Sequence, residues 1–218
     1  MLASLHLEIL DSLRKRIWVQ LGAFKHYGYL GGGTALALQI AHRYSYDFDI
    51  FCYKKISSAL IQQCRKVFHI RQVLINSEEE FTFLTEDNIK ITFLHYPFVF
   101  RGCMVEEKGG LPLLDILNIA ASKAYTLNRR GNWRDYVDIY CIVKLSKITL
   151  KMIIDVAQKV YGEVWSEKLL LGQLVYTDDI SSEDMKSVQF IGKKIRAEVI
   201  KEFFIKEVKK ISGRVIRS

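Results

Sequence analysis

The segment from Leu30 to Phe51, LGGGTALALQIAHRYSYDFDIF, constrains this chain more than any other. Three consecutive glycines interrupt the preceding pattern, an apolar run of helical composition follows at once, and two aspartates one residue apart close the segment. A short strand around Tyr27 to Leu30 leads into the glycines, Thr34 caps a helix running to about Arg43, and Tyr46 to Tyr53 forms a buried strand. Alternate side chains of a strand share a face, so Asp47 and Asp49 point one way while Phe48 and Ile50 point into a core.

Two carboxylates a few ångströms apart repel one another unless a cation lies between them. That favours a divalent metal with oxygen ligands, and Mg²⁺ (or Mn²⁺) is the usual companion of phosphate substrates. Gly32 and Gly33 let backbone N–H groups approach a ligand closely at the positive end of the following helix. A glycine turn alone is usually only a turn, and an acidic pair alone is often a solvated strand edge. The ordered combination is more specific than either part.

The rest of the chain divides in character near Gly109. Leu2, Leu5, Ile9, Leu13, Ile17 and Leu21 recur at helical spacing and predict one helix over the first two dozen residues. A helix from Ser57 or Ser58 to Phe68 follows the aspartates. Strand-like runs come next at Arg71 to Ile75, Glu80 to Leu84 and Ile89 to Leu94, the last two joined by the hairpin residues Thr85 to Asn88. An extended piece spans Phe98 to Val105. Strand signals stop after Gly110, and helices are predicted at Pro112 to Asn128, Trp133 to Lys144, Thr149 to Tyr161, Ser166 to Val175, and Glu183 to Ile211 with a break at Gly192. An α/β lobe over 1–109 followed by a helical lobe over 110–218 is the expected organisation.

Composition narrows the classes further. The net charge is +8 over 218 residues, yet 10 Lys/Arg against 3 Glu from Lys186 onward concentrate +7 of it at the end of the chain. Such an end is either a surface for nucleic-acid phosphates or a solvated helix face. Its apolar stripe of Ile195, Val199, Phe203, Val208 and Ile211 packs on the helical lobe or against a partner protein. Cys52, Cys64, Cys103 and Cys141 have neither zinc-ligand nor disulfide-framework spacing, which fits reduced thiols in a cytoplasmic protein. Glu8 and Asp11 interrupt the leading apolar pattern and exclude a signal-peptide core, and no run is long and apolar enough for a membrane span.

GG-T-A-L-A-L followed by HR-x-S-x-D-x-D resembles the AbiEii-type nucleotidyltransferase toxins, a branch of the DNA polymerase β-like nucleotidyltransferase superfamily. The resemblance implies a mixed-sheet nucleotidyltransferase lobe of the α/β (α+β) class followed by an all-α helical lobe. It implies that Gly32, Gly33 and Thr34 bind the nucleotide phosphates, that Asp47 and Asp49 are metal ligands, and that Arg43 and Ser45, which form an R-x-S element, contribute to nucleotide binding. In the helical lobe, Lys123, Arg129 or Arg130, and the run from Arg134 to Asp138 resemble the family's K…R…(R/K)DxxD element. There Lys123 would meet phosphate, Asp135 would be a base or further metal contact, and Asp138 would contribute to nucleotide binding.

The activity implied is transfer of an NMP from an NTP to RNA, a tRNA 3′ end in particular, by the toxin of a toxin–antitoxin pair with a cognate antitoxin. A small molecule or protein acceptor, or a non-catalytic binding protein of the same fold, are the competing readings. One departure bears on them. Many polymerase β-like enzymes carry a third carboxylate on a later strand, where Lys90 to Leu94 reads KITFL with Thr92 at that place. Threonine is neutral and a poor Mg²⁺ ligand. Either Asp135 supplies the missing function, or one metal suffices, or the protein is inactive.

Overall fold

The computed structural model describes residues 5–100, 104–105 and 109–215, with side chains to Gly213. It divides into two compact units: residues up to Ala41 together with Ser45–Asp115, and His42–Tyr44 together with the residues from Ile116 onward. The chain therefore leaves the first unit for three residues between the glycines and the aspartates, and returns.

The first unit opens with a 3₁₀ turn at Leu7–Ile9 and helix α1 (Ser12–Leu21). The single predicted helix is thus split, because the Asp11 side chain accepts from the Arg14 N–H and starts a new helix there. After α1 come β1 (Gly28–Gly31), α2 (Gly32–Ile40), β2 (Phe48–Cys52), α3 (Ser58–Val67), β3 (Ile70–Asn76), β4 (Glu80–Thr85), β5 (Lys90–His95), β6 (Met104–Val105) and β7 (Leu113–Leu114). They build a mixed sheet of order β3-β4-β5-β2-β1-β7-β6. β2 runs antiparallel to β1 and parallel to β5. The predicted hairpin is present, with Asn88 in the left-handed region at φ 59°.

Residues Leu113 and Leu114, expected to be helical, form β7 beside β1, and the helix starts only at Ile116. Of the extended piece expected over Phe98 to Val105, Met104 and Val105 form β6, and 101–103 lie outside the described residues. One sheet face carries the core. Phe24, Phe48, Phe81, Phe83 and Phe93 are fully buried there, each worth about 1.5–3 kcal/mol of apolar burial. Phe24 stacks on Phe68 at 5.6 Å and meets Phe93 at 5.0 Å. Trp18 fixes Gly110, where a Cβ would stand 1.9 Å from the indole.

The second unit contains α4 (Ile116–Leu127), α5 (Trp133–Leu145), α6 (Leu150–Tyr161), α7 (Glu167–Val175), α8 (Ser182–Ser187) and α9 (Ala197–Val215). Tyr125 on α4 stacks on Tyr161 of α6 at 4.0 Å, and Phe204 of α9 meets Tyr136 of α5 edge-on. The helix predicted from Glu183 to Ile211 is two helices with residues 188–196 between them. The interruption includes Gly192 at φ 79°, but its cause lies just before it. Tyr44 N–H donates to the Gln189 carbonyl, Ile191 N–H donates to the His42 carbonyl, and Arg43 bridges Phe190. A backbone committed to such a ladder cannot also close helical turns. No helix among the described residues is long and apolar enough to cross a membrane.

Candidate active site

In the first unit, the glycine turn and the acidic pair meet. α2 begins at Gly32 with Gly31 in the cap position, three residues before the expected cap, so Thr34 is not the cap. Thr34 lies in the first turn, where its hydroxyl donates to the Asp47 carbonyl and shares a 2.9 Å hydrogen bond with Ser45 Oγ. A hydroxyl carries one proton, so Ser45 is the donor in that second bond. Arg14 adds a 3.1 Å bond from Nε to the Tyr46 carbonyl and lies over the Tyr46 ring. Thr34, Ser45 and Arg14 thereby fix the loop that delivers Asp47.

Gly32 has φ +67°, and a Cβ there would stand 2.7 Å from Asp49 Oδ2. Asp49 is thus lodged against the opening turn of α2, whose N–H groups stabilise negative charge. Gly32→Ala is expected to cost about 1–2 kcal/mol for the left-handed backbone alone. Because the new methyl also displaces the carboxylate, activity should fall further, by about 10²-fold; urea unfolding and label transfer measure the two effects separately.

Asp47 is partly exposed, and its Oδ2 lies 2.9 Å from Lys90 Nζ. Lys90 and Thr92 alternate on one face of β5, and Thr92 stands directly opposite Asp49 in the parallel β2/β5 register. Asp47 stands one residue before β2, and its contact with Lys90 brings it to that end of β5. The donor set fits a divalent cation in type, two carboxylates with oxygen atoms only, and a cation there would displace the Lys90 ammonium from Asp47. Among the described residues no group of three His, Cys, Asp or Glu completes a cage. Two carboxylates are the usual protein share of a Mg²⁺ whose other ligands are phosphate oxygens and waters.

Arg43, Lys123, Asp135 and Asp138 come together in the second unit, with His42. Asp138 is completely buried. It accepts from Arg43 Nε at 2.6 Å and Nη2 at 2.8 Å, from His42 Nε2 at 2.8 Å, and from Lys123 Nζ at 2.9 Å. Lys123 Nζ also lies 2.7 Å from Asp135 Oδ1. Arg43 Nη1 donates to the Tyr44 carbonyl at 3.0 Å.

The electrostatics of this cluster are self-consistent. Burial opposes ionisation of Asp138, but Arg43, Lys123 and His42 outweigh it and hold the carboxyl well below the usual range. Burial likewise opposes the charge on Lys123, and Asp135 and Asp138 more than offset it, raising the ammonium pKa. For His42 burial wins over Asp138, and the imidazole is pushed below its ordinary value. With His42 neutral, two cations balance two anions. The Nε2 proton is the one given to Asp138, and Nδ1 is buried with no hydrogen-bond partner.

The sign of the His42 shift sets a pH dependence. Below about pH 6.5 the unfolded chain takes up a proton that the folded chain does not. Stability should therefore fall as pH drops from there toward the folded value, by up to about 1.4 kcal/mol per pH unit. Urea titrations at pH 7.5, 6.5 and 5.5 should reveal that decline, and His42→Gln should flatten it.

Lys90 and His42 escaped the sequence reading. Lys90 was signalled by its two-residue step from Thr92, and His42 only by adjacency to Arg43. The thiols play no part in this chemistry, since burial pushes Cys52 and Cys141 up to about 12 and raises Cys64 as well. Cys103 lies outside the described residues. The aromatic residues after β5 form a pocket of about 190 Å³ that includes Tyr29, Tyr53, Tyr96 and Phe98, while Phe93 belongs to the core.

Comparison with known proteins gives the family and the fold. A protein of unassigned function from Aquifex aeolicus is 28% identical over 185 residues, covering 83% of this chain and 86% of its own. MenT4, a nucleotidyltransferase toxin of Mycobacterium tuberculosis, superposes with TM-score 0.65 at 14% identity, covering 90% of this chain and 80% of its own. A Helicobacter pylori structure described as a nucleotidyltransferase superposes with TM-score 0.59 at 15% identity, covering 95% and 98%. At such identities these structures speak for the fold. The profile of the nucleotidyltransferase AbiEii toxins of type IV toxin–antitoxin systems matches residues 16–190. The match spans both the turn with its acidic strand and the helical element, and the chain therefore belongs to the AbiEii family of nucleotidyltransferase toxins.

Proposed function

We propose that this nucleotidyltransferase moves an NMP from an NTP to RNA, a tRNA 3′ end in particular, in a reaction that depends on Mg²⁺ or Mn²⁺ held by Asp47 and Asp49. The observation that carries this reading is the Asp49 carboxylate lodged against Gly32, beside the partly exposed Asp47. The glycine turn offers N–H groups to the phosphates, and the carboxylates would hold the cation at the same wall. A bound divalent cation supplies charge neutralisation on the phosphates as pyrophosphate leaves.

The protein's own part is positioning. Thr34, Ser45 and Arg14 hold the loop at Asp47, and Lys90 compensates its charge until the nucleotide arrives. Arg43 and Asp138 would serve binding through the loop they anchor. Lys123 has one ammonium N–H beyond those directed at Asp135 and Asp138, and in this proposal it meets a phosphate oxygen while Asp135 orients it. The family also suggests a cognate antitoxin as the protein partner.

Incubation with tRNA, Mg²⁺ and each labelled NTP tests the reading. Label should enter RNA, be released by RNase, and be absent with Asp49→Asn. Label that resists RNase would redirect the acceptor to a small molecule or protein, and no incorporation with any nucleotide would refute the reaction as stated.

Lys206, Lys209 and Lys210 are exposed on α9 and are the proposed RNA contacts. Reversing all three charges should reduce the slope of log affinity against log salt by about 2. A filter-binding salt titration measures this, and an unchanged slope removes α9 from the RNA interface.

A further inference from the structure

Nucleotidyl transfer requires the attacking hydroxyl to lose its proton, and the strand position facing Asp49 is a neutral threonine. That threonine is not isolated. Thr92 pairs with Thr82 across the antiparallel β4/β5 ladder, with their Oγ1 atoms 3.1 Å apart. Thr82 Oγ1 in turn lies 2.6 Å from Glu80 Oε1. Both threonines are buried, at 9% and 4% exposure, while Glu80 is half-buried.

The direction of this chain follows from proton counting. A carboxylate only accepts, so Thr82 spends its one proton on Glu80 and must accept from Thr92. The sequence of donors is Thr92 to Thr82 to Glu80, beginning beside Asp49 and ending at a group that solvent reaches. Valine would fill either threonine site with the same shape, so packing does not require the hydroxyls.

We propose that Thr92, Thr82 and Glu80 are a proton relay, in which Thr92 meets the acceptor hydroxyl and Glu80 is the terminal base. This rests on the reading that Asp49 marks the reaction centre. As the acceptor oxygen forms its bond to the α-phosphorus and the bond to pyrophosphate breaks, the acceptor proton passes to Thr92 Oγ1. The Thr92 proton passes to Thr82 and the Thr82 proton to the Glu80 carboxylate, which then loses it to water. Rotation of the two hydroxyls resets the chain. The device begins at the position facing Asp49 and places the base one strand outward. Thr92 is the catalytic residue of the three; Thr82 and Glu80 act through it.

The test is pyrophosphate release from the four NTPs with Mg²⁺ and total cellular RNA. Thr82→Val and Glu80→Gln should each be about 10²-fold slower, the usual worth of a general base. Thr82→Ser, which keeps the hydroxyl, should retain the rate. A purely structural threonine predicts the opposite order, with valine tolerated and serine impaired. Calorimetry should show NTP·Mg²⁺ binding unchanged in Thr82→Val. A wild-type rate in Thr82→Val, in a reaction that Asp49→Asn abolishes, overturns the relay alone. Undiminished release by Asp49→Asn overturns the underlying assignment of the reaction centre instead.

Discussion

Asp49→Asn should lower nucleotidyl transfer by about 10³-fold or more while leaving the fold intact, the loss expected when a preorganised charge at a reacting centre is removed. The substitution keeps the volume and the hydrogen-bonding oxygen, so the fit against Gly32 is preserved. What disappears is the negative charge. An amide oxygen binds Mg²⁺ far more weakly than a carboxylate, and the remaining Asp47 is already paired with Lys90. Asp47→Asn should be less severe, because its side chain is 39% exposed and the freed Lys90 can turn to solvent. Single-turnover label transfer across a Mg²⁺ titration separates the two variants. Wild-type rates in Asp49→Asn would move the reaction centre away from the strand altogether.

The parts of this fold that were legible in sequence are those whose cause is local. The strand–glycine–helix–strand order declares itself within twenty-two residues, and the acidic pair stands out in it without any knowledge of the partner strand. Helix α6 is equally plain, with Thr149 as its cap and Leu150, Ile153, Ile154 and Ala157 on its buried stripe. What escaped depends on partners far along the chain. Leu113 and Leu114 read as the start of a helix because the strand that recruits them, β1, lies some eighty residues earlier. The run from Glu183 to Ile211 read as helix with a break at Gly192, yet the backbone of Gln189 to Ile191 is engaged by His42 and Tyr44.

The candidate site divides along the same line. Its acidic pair and glycines were readable, whereas Lys90 and the threonine pair acquire meaning only through the register Asp49↔Thr92 and Thr82↔Thr92. The polar alternation was visible as Glu80 with Thr82 and Lys90 with Thr92. A period of two identifies a face but not what lies across from it. Arg43 shows the limit most clearly. Its motif position before the aspartates suggested a ligand contact, and the carboxylate it grips is ninety-five residues downstream.

That grip leads to the second large effect. Asp138→Asn should destabilise the protein by about 3–5 kcal/mol, the loss typical of removing one partner from a buried ion pair. Asp138 receives four hydrogen bonds and balances a guanidinium and an ammonium in a place that water does not reach. Without its charge, Asp135 alone faces two buried cations. Lys123→Met should cost less, since Asp138 keeps Arg43 and His42 and only Asp135 loses its partner. The pH behaviour follows from the depressed Asp138 pKa: its stabilisation is full above the unfolded carboxyl value near about 3.9 and is lost only as pH falls through the lower folded value. The deficit of Asp138→Asn relative to the native chain should therefore stay constant from about pH 5 to 8 and shrink only in stronger acid, as urea unfolding across that range would show. A deficit below about 1 kcal/mol would mean that the cluster behaves as a solvated surface pair. Arg43 stands four residues before Asp47 on a loop whose other end Thr34 and Ser45 secure. The Asp138→Asn protein that remains folded should accordingly transfer nucleotide more slowly, and Lys123→Met, which leaves the Arg43 pair intact, should separate loss of the anchor from loss of the ammonium.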